Sequence, residues 1–530
     1  MPDSSPRLAR SAGVFGLATI TSRILGLVRD QVLAFYFGAG DANDAFRVAS
    51  RIPNLVRDLF AEGAMSAAFV PTFTRQLTLH GRDRAWHLAS SVINALLIVT
   101  GVLVAAGIVF AEPLVRLFAS DFSEVPGKLE LTIYLTRIVF PFLTMVAVAA
   151  ALMGMLNSLG YFFIPALSPA MFNVAVIVIS VTLIPIAPSL GLQPITIVAL
   201  ATLAGGLGQL AIQWPPLIRE GFRYRPVLDV KDEGLHRVLL LMGPGTIGMA
   251  ATQINVFVNT VLATGEGTGA VSWLDFAFRL MYLPIGLFGV SIATAATPAI
   301  SRMVAEQDFA RIRSTLANAL GLMLFLNVPA AVGLIVLAQP IVAVIFEHGE
   351  FTAADTMATA AALQLYAIGL VGYSIVRIIS PTFYALQRSR VPVMVSAGSV
   401  LVNVALNLAL VRMMGYRGLA LGTSITAILN ATVQLFLLRR EIGGINGTRI
   451  VTSLARVLIA AAVMGAATVG SYATLEDLMP GDALPAQILR LLIVISISLV
   501  VLVASAQLLR IPEYADARDL VLGKLRRMAR

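Results

Sequence analysis

The sequence predicts an all-α polytopic membrane protein of about fourteen transmembrane helices. They are expected as two pseudo-symmetric six-helix lobes followed by a C-terminal helical hairpin. Three observations carry that reading. Of 530 residues, 58% are hydrophobic and 13% charged, against about 25% charged in soluble domains, and mean hydropathy is +0.86. Apolar runs of roughly 20 residues, enough to cross a bilayer as a helix, recur from end to end. The short alternating segments of a membrane β-barrel do not appear.

Taken in order, the spans fall near 11–38, 43–74, 86–111, 130–157, 163–187, 193–218 and 235–263, then 270–301, 312–338, 354–386, 391–412, 416–438, 450–474 and 485–509. Gly, Pro and charged residues punctuate the gaps. Basic residues gather in alternate loops: Arg75, Arg82 and Arg84; Arg219, Arg223, Arg225, Lys231 and Arg237; Arg302, Arg311 and Arg313; Arg388 and Arg390; Arg439, Arg440 and Arg449; and the tail from Lys524 to Arg530. The opposite loops are acidic or bare, with Asp41, then Asp121, Glu124 and Glu130 beside Lys128, then Glu266, Glu347, Glu350, Asp355, Glu476, Asp477 and Asp482. Arg412 and Arg417 go against the pattern. By the positive-inside rule both termini are cytoplasmic, and the net charge of +9 belongs to this asymmetry rather than to nucleic-acid binding. The leading MPDSSPRLAR has no A-x-A cleavage site after the first apolar stretch and reads as a lead-in to an uncleaved helix.

A weak internal repeat supports two lobes. AFR occurs at 45–47 and again at 277–279. A-x-x-P-x-x-x-R runs from Ala68 to Arg75 and again from Ala295 to Arg302. Parallel repeats of this kind place a substrate site between halves near the membrane midplane. The divisions expected are 1–220, 221–441 and a hairpin with its tail at 442–530.

The chain is organised around residues 21–75, apolar enough for two spans yet carrying Arg23, Arg29, Asp30, Asp44, Arg47, Arg51, Arg57, Asp58 and Glu62. An arginine at a helix centre costs roughly 2.5–3.5 kcal/mol on insertion scales, so several together must face a water-filled cavity. A cavity lined with arginine suits an anion. Arg47, Arg51, Asn54 and Asp58 fall at i, i+4, i+7 and i+11, one polar stripe, and Pro53 within it should kink the helix. The structural alternative is that acids and arginines merely pair. Asp44 and Glu62 could do so across helices, whereas Arg29 with Asp30 and Arg57 with Asp58 are adjacent and do not face each other.

Span eight adds Arg279, with Asp275 one turn earlier as a neutralising partner, and Trp273 as a cavity aromatic or an interface anchor. Arg377, among apolar neighbours, should face water and has no assigned role. Asn255 with Asn259, and Asn403 with Asn407, form i, i+4 amide pairs. They could hold Na⁺, but hard cations usually want a carboxylate as well, and interhelical hydrogen bonding is the favoured use. There is no Cys, and the four His (His80, His87, His236, His348) lie in or near loops without i, i+4 pairing. No catalytic residue, metal site or cofactor is therefore assigned.

SRILGLVRD, the D-A-F beginning at Asp44, PNLVRDLFAEGA followed by AFVP, and VSWLDFAFRLMYLPIGLFGV resemble the bacterial lipid II flippases of the MurJ/MviN family, within the multidrug/oligosaccharidyl-lipid/polysaccharide exporter superfamily. The resemblance covers essentially the whole chain. It implies a flippase moving undecaprenyl-pyrophosphate-linked disaccharide-pentapeptide across the bacterial inner membrane for cell wall synthesis, with lipid II, the bilayer and the wall-synthesis machinery as partners. It implies no enzymatic step, and coupling to the membrane potential or a monovalent cation. The family's functional arginines map onto Arg23, Arg29, Arg57 and Arg279, and its acid at the start of span two onto Asp44. Many members carry an acid where this chain has Phe278; Asp275 is the candidate substitute.

On this reading Arg23, Arg29 and Arg279 cradle the pyrophosphate through bidentate guanidinium contacts. Arg57, with Asp30, Asp44, Arg51, Asn54, Asp58, Glu62 and Asp275, supplies further binding, gating or charge balance. Two alternatives stay open, an exporter of another undecaprenyl-linked glycan and a cation-coupled drug exporter of the same superfamily. Cationic drugs would favour acids over arginines in the cavity. The short outer loops leave little room for a membrane-embedded glycosyltransferase.

Overall fold

The computed structural model describes residues 5–58, 63–481, 483–515 and 518, and every regular element among them is helical. In hydrocarbon each backbone polar group must be satisfied within its own segment, which a helix does and an open strand does not. In order these are α1 (Ser5–Phe37), α2 (Asp41–Arg57), α3 (Gly63–Val109), α4 (Ala111–Ala119), α5 (Lys128–Val139), α6 (Phe142–Ser158), α7 (Phe163–Leu183), α8 (Pro194–Arg219) and α9 (Glu233–Thr264). There follow α10 (Ala270–Pro284), a π-helical turn (Ile285–Gly289), α11 (Val290–Ala305), α12 (Phe309–Val336), α13 (Ala338–Phe346), α14 (Ala353–Ala385), α15 (Arg390–Met414), α16 (Tyr416–Glu441), α17 (Gly447–Leu478) and α18 (Leu484–Leu508).

Eleven helical stretches among the described residues are long and apolar enough to cross a membrane. The described residues of every expected span are mostly helical, but 11–38, 43–74 and 235–263 are not among the eleven. In the second, residues 59–62 lie outside the described residues. α2 has 17 residues and carries Asp41, Asp44, Arg47, Arg51 and Arg57.

The expected loop at 75–85 is also not a loop. Helix runs through it as α3, interrupted only at Gly81, whose φ of 80° and ψ of −178° lie in a region essentially closed to side chains. Gly81→Ala is expected to cost about 1–3 kcal/mol from this strain alone, because no atom lies within 4 Å of the added Cβ. The control is Gly101→Ala on the same helix, which also meets open space and should stabilise by up to about 1 kcal/mol. Thermal denaturation in detergent reads both, and equal shifts would sink the strain account.

The element order repeats. A helix of 33 residues (α1) corresponds to one of 32 (α9), and the short α2 of 17 residues corresponds to α10 of 15. Both copies of the AFR segment sit on a short helix, and α10 gives way to its π turn soon afterwards. Nine-residue helices, α4 and α13, then occupy equivalent places, and α17 and α18 follow as a hairpin.

Contacts cluster into two units, Met1–Ser272 and Trp273–Arg530. In the first, α1 packs on α7, α7 on α8, α6 on α3 and α8, α2 on α5, and α9 on α3. Its core includes Phe69, Phe73, Trp86, Leu88, Leu152 and Phe222. A second cluster, with Leu33, Phe46, Leu135 and Phe142, backs α1 and α2. In the second unit α14 packs on α16, α12 on α14 and α17, and α17 on α18. A Cβ on Gly372 of α14 would come within 2.7 Å of the Ala427 backbone, so glycine sets the closeness of α14 to α16.

Candidate functional site

α1 and α2, in the first unit, carry Arg23, Arg29, Asp30, Asp44, Arg47, Arg51 and Arg57. Arg29 donates from Nη2 and Nε to Asp30 Oδ1 at 2.8 and 3.1 Å, and from Nη1 to Asn173 Oδ1 on α7 at 3.3 Å. Asn173 Nδ2 donates back to the Ser22 carbonyl at 3.1 Å. The guanidinium also lies 5.8 Å from the centre of the Phe172 ring. Asp30 is buried, while 19% of the Arg29 side chain remains exposed. Arg23 is half-buried on the same helix.

Arg57 repeats the arrangement, with Nη2 and Nε 2.7 and 2.9 Å from Asp58 Oδ1. Gln253 of α9 donates to Asp58 Oδ2 at 3.5 Å. The expectation that these adjacent residues, not facing each other, do not pair neatly is therefore overturned. Cβ vectors of neighbours do diverge on a helix, but the arginine stem is long enough to curl its fork onto the next carboxylate. Each arginine is thus locally neutralised yet keeps part of its surface open.

Along α2, Arg47 Nε donates to Asn43 Oδ1 at 3.1 Å, and Arg51 is half-buried. Asn54 Oδ1 is buried with no hydrogen-bond partner, which ordinarily costs about 1–3 kcal/mol. Glu62, expected to gate with Asp44, falls outside the described residues.

Asp44 does not pair with an arginine. It is wholly buried, and its partner is Lys128, at the start of α5, with Nζ 3.0 Å from Oδ2. The Gly269 backbone N–H donates to the same oxygen at 2.7 Å, and Ser272 donates to Oδ1 from its backbone N–H (3.1 Å) and hydroxyl (2.7 Å). Lys128 Nζ also lies 2.8 Å from Asp41 Oδ1 and 4.2 Å from the centre of the Phe122 ring. Thr268 closes the group with a 2.7 Å bond to Asp41. Burial pushes the Asp41 carboxyl up, but the Lys128 and Thr268 hydrogen bonds and the Lys128 charge outweigh it and hold the group below its usual value. This clasp ties the α9–α10 connection to α2 and α5. Sequence reasoning missed Lys128. The signal available was a lone cation in an acidic loop at the start of a helix, where the helix dipole disfavours it.

In the second unit Asp275 and Arg279 sit one turn apart on α10, both half-buried. Phe278, where an acid was expected, joins an aromatic cluster with Tyr282, Tyr366 and Tyr373, ring centres 5.9, 5.4 and 6.2 Å away. Arg377 is exposed and donates to the Tyr282 hydroxyl at 2.6 Å. Trp273 has a defined partner; its indole N–H donates to Asp355 at 2.8 Å and its ring packs on Tyr416. Asn407 donates to Asn403, and Asn403 to Thr426 on α16, at 2.9 and 3.3 Å. The Asn403–Thr426 bond crosses from α15 to α16, as favoured from sequence, while the Asn407–Asn403 bond stays within α15. On α9, Asn255 and Asn259 are half-buried.

Two sets of helices in the same order, each with a short helix bearing the charged AFR motif, define the fold shared by the exporter superfamily. An inward-facing multidrug resistance MATE family transporter of the MOP superfamily shares this fold, with a TM-score of 0.67, 17% identity, and 82% of this chain and 99% of that chain covered. The sequence model of the family described as "Lipid II flippase MurJ" matches residues 33–506. A probable lipid II flippase MurJ of Bdellovibrio bacteriovorus is 35% identical over 94% of both chains. The lipid II flippase MurJ of Burkholderia cenocepacia is 34% identical over 80% of this chain and 82% of its own length. A solved structure of lipid II flippase MurJ in an inward closed conformation matches with a TM-score of 0.78 and 29% identity, covering 96% of this chain and 99% of that one. The chain belongs to the MurJ lipid II flippase family. It is a multi-pass inner-membrane transporter.

Proposed function

We propose that the protein carries lipid II from the cytoplasmic to the outer leaflet of the inner membrane by alternating access. The observation that carries this is family membership across nearly the whole chain, joined to half-buried arginines inside its helices. A pyrophosphate cannot cross hydrocarbon bare, and guanidinium forks meet phosphate oxygens with paired, charge-assisted hydrogen bonds. Arg23, Arg29 and Arg279 bind the pyrophosphate. Arg57 adds binding or gates the cavity, with Arg51 and Asn54 on the same helix supplying gating or charge balance.

The functional divisions are 1–220 and 221–441, which alternate access, and 442–530, whose hairpin accompanies the lipid tail. Both termini face the cytoplasm, which puts the Asp44–Lys128 clasp at the outer end. There it holds the α9–α10 connection until the outer side opens. Transport draws on the membrane potential or a monovalent cation, and the wall-synthesis machinery receives the product. A cation-coupled drug exporter fits poorly, because arginines outnumber acids on the helices concerned.

The wild-type chain is expected to rescue growth of a bacterium depleted of its own lipid II flippase. Correctly inserted protein that fails to rescue would move the reading to another undecaprenyl-linked glycan.

A further inference from the structure

Away from the arginine helices, the extended segment between α8 and α9 is laid against α3. Phe222 is buried with its ring centre 5.3 Å from Trp86 and 5.9 Å from Trp214. Asn94 of α3 donates to the carbonyls of Arg225 and Val227, both at 2.9 Å, and accepts from the Tyr224 hydroxyl at 2.6 Å. Ser90 accepts from the Arg225 backbone N–H at 3.4 Å. His87, Ser90 and Asn94 stand at helical spacing on one face of α3, so the same face that pins the segment also presents an imidazole to it.

His87 Nε2 lies 3.5 Å from Asp229 Oδ2. Asp232, whose Oδ1 caps α9 by accepting from Leu235 at 2.9 Å, completes a group of three residues whose ligand atoms lie within 4.8 Å of one another. His236, one turn into α9, holds its ring Nδ1 3.3 Å from the Asp232 carbonyl oxygen. Two of the four histidines of the chain thus converge on one short segment.

The spacing is informative. A charge-assisted imidazole–carboxylate bond closes to about 2.7–2.9 Å, so 3.5 Å is a poor hydrogen bond. It is close to the edge of a tetrahedron around zinc. Two ligands each about 2.0–2.1 Å from the ion stand about 3.4 Å apart. Asp229 keeps Oδ2 available because its Oδ1 accepts from the Lys231 backbone N–H at 3.1 Å. With 29% of the His87 side chain and 41% of Asp229 exposed, an ion can enter from solvent.

We propose that His87, Asp229 and Asp232 bind one divalent transition-metal ion of the zinc class, which fastens the α8–α9 segment to α3. An imidazole ligand favours zinc over magnesium or calcium, which prefer all-oxygen shells. The test uses full-length protein purified in detergent without a histidine tag and stripped with chelator, titrated calorimetrically with Zn²⁺ and then Mg²⁺. One Zn²⁺ should bind per chain, Mg²⁺ should not compete, and zinc should raise the melting temperature. His87→Ala and Asp229→Asn should each weaken zinc binding by about 100-fold or more, since even outer-shell losses cost about 10–100-fold. If His87→Ala lowers the melting temperature in chelator, Asp229→Asn and Asp232→Asn give the same reading without removing a buried ring face. No saturable zinc binding, or isotherms unchanged by the substitutions, would overturn the site.

Discussion

Arg29→Ala should abolish rescue of a flippase-depleted strain at matched membrane expression, with the largest effect of any single substitution in the first unit. Each charge-assisted hydrogen bond to a phosphate is worth about 1.5–3 kcal/mol. Losing a two-bond fork therefore slows transport by about 100-fold or more. The same substitution removes the forked contact to Asp30 and the bond to Asn173, so instability alone could mimic the result. Arg29→Lys separates the two. It keeps the positive charge near buried Asp30 but not the planar fork, and should leave the protein folded by detergent melting while still failing to rescue. Full rescue by Arg29→Ala would discard pyrophosphate binding at this position. A Lys variant that rescues as well as wild type would reduce the requirement to charge.

Asp44→Ala should produce the largest loss of stability. Breaking a buried ion pair by deleting one partner costs about 3–5 kcal/mol. Here the deletion also strips the acceptor from the Gly269 and Ser272 backbone N–H groups and from the Ser272 hydroxyl. Lys128 keeps its contact with the more exposed Asp41, a 3.5 Å bond to Thr268 and the face of the Phe122 ring, but loses its fully buried partner. Asp44→Asn is nearly isosteric but should recover little, because its amide nitrogen would face either the Lys128 and Gly269 donors or those of Ser272. Lys128→Met should cost less than Asp44→Ala, since Asp44 retains three hydrogen bonds without it. Melting of the three variants in detergent checks the order. If Asp44→Asn melts like wild type, the acid is not holding the connection through its charge.

These two sites differ in how far the chain reveals them. Arg29 is visible in the sequence because a charged residue within an apolar run is anomalous on composition alone. Its partners were half visible. Asp30 is its neighbour, and only the rule that neighbours diverge hid the pair. Asn173, 144 residues away, could not be inferred. Asp44 was identified as an acid needing a partner, but Lys128 lies 84 residues on and Ser272 another 144 beyond that. The same holds for His87 and Asp229, which local reading left in separate segments.

What the sequence determined by itself is the class and course of the chain: helical, membrane-embedded, repeated, with its charge concentrated on spans one, two and eight. Those properties are local. Hydropathy, helical period and turn residues act within about 20 residues, and lipid enforces them because it offers the backbone no other partner. Tertiary structure alone decided which charge meets which. It showed that Gly81 makes a kink where a loop was expected, that Phe278 sits among tyrosines, and that Asp44 closes on Lys128 and the α9–α10 connection. Those pairings depend on which helix ends return to the same place. Side-chain type records only the need for a partner; packing chooses it.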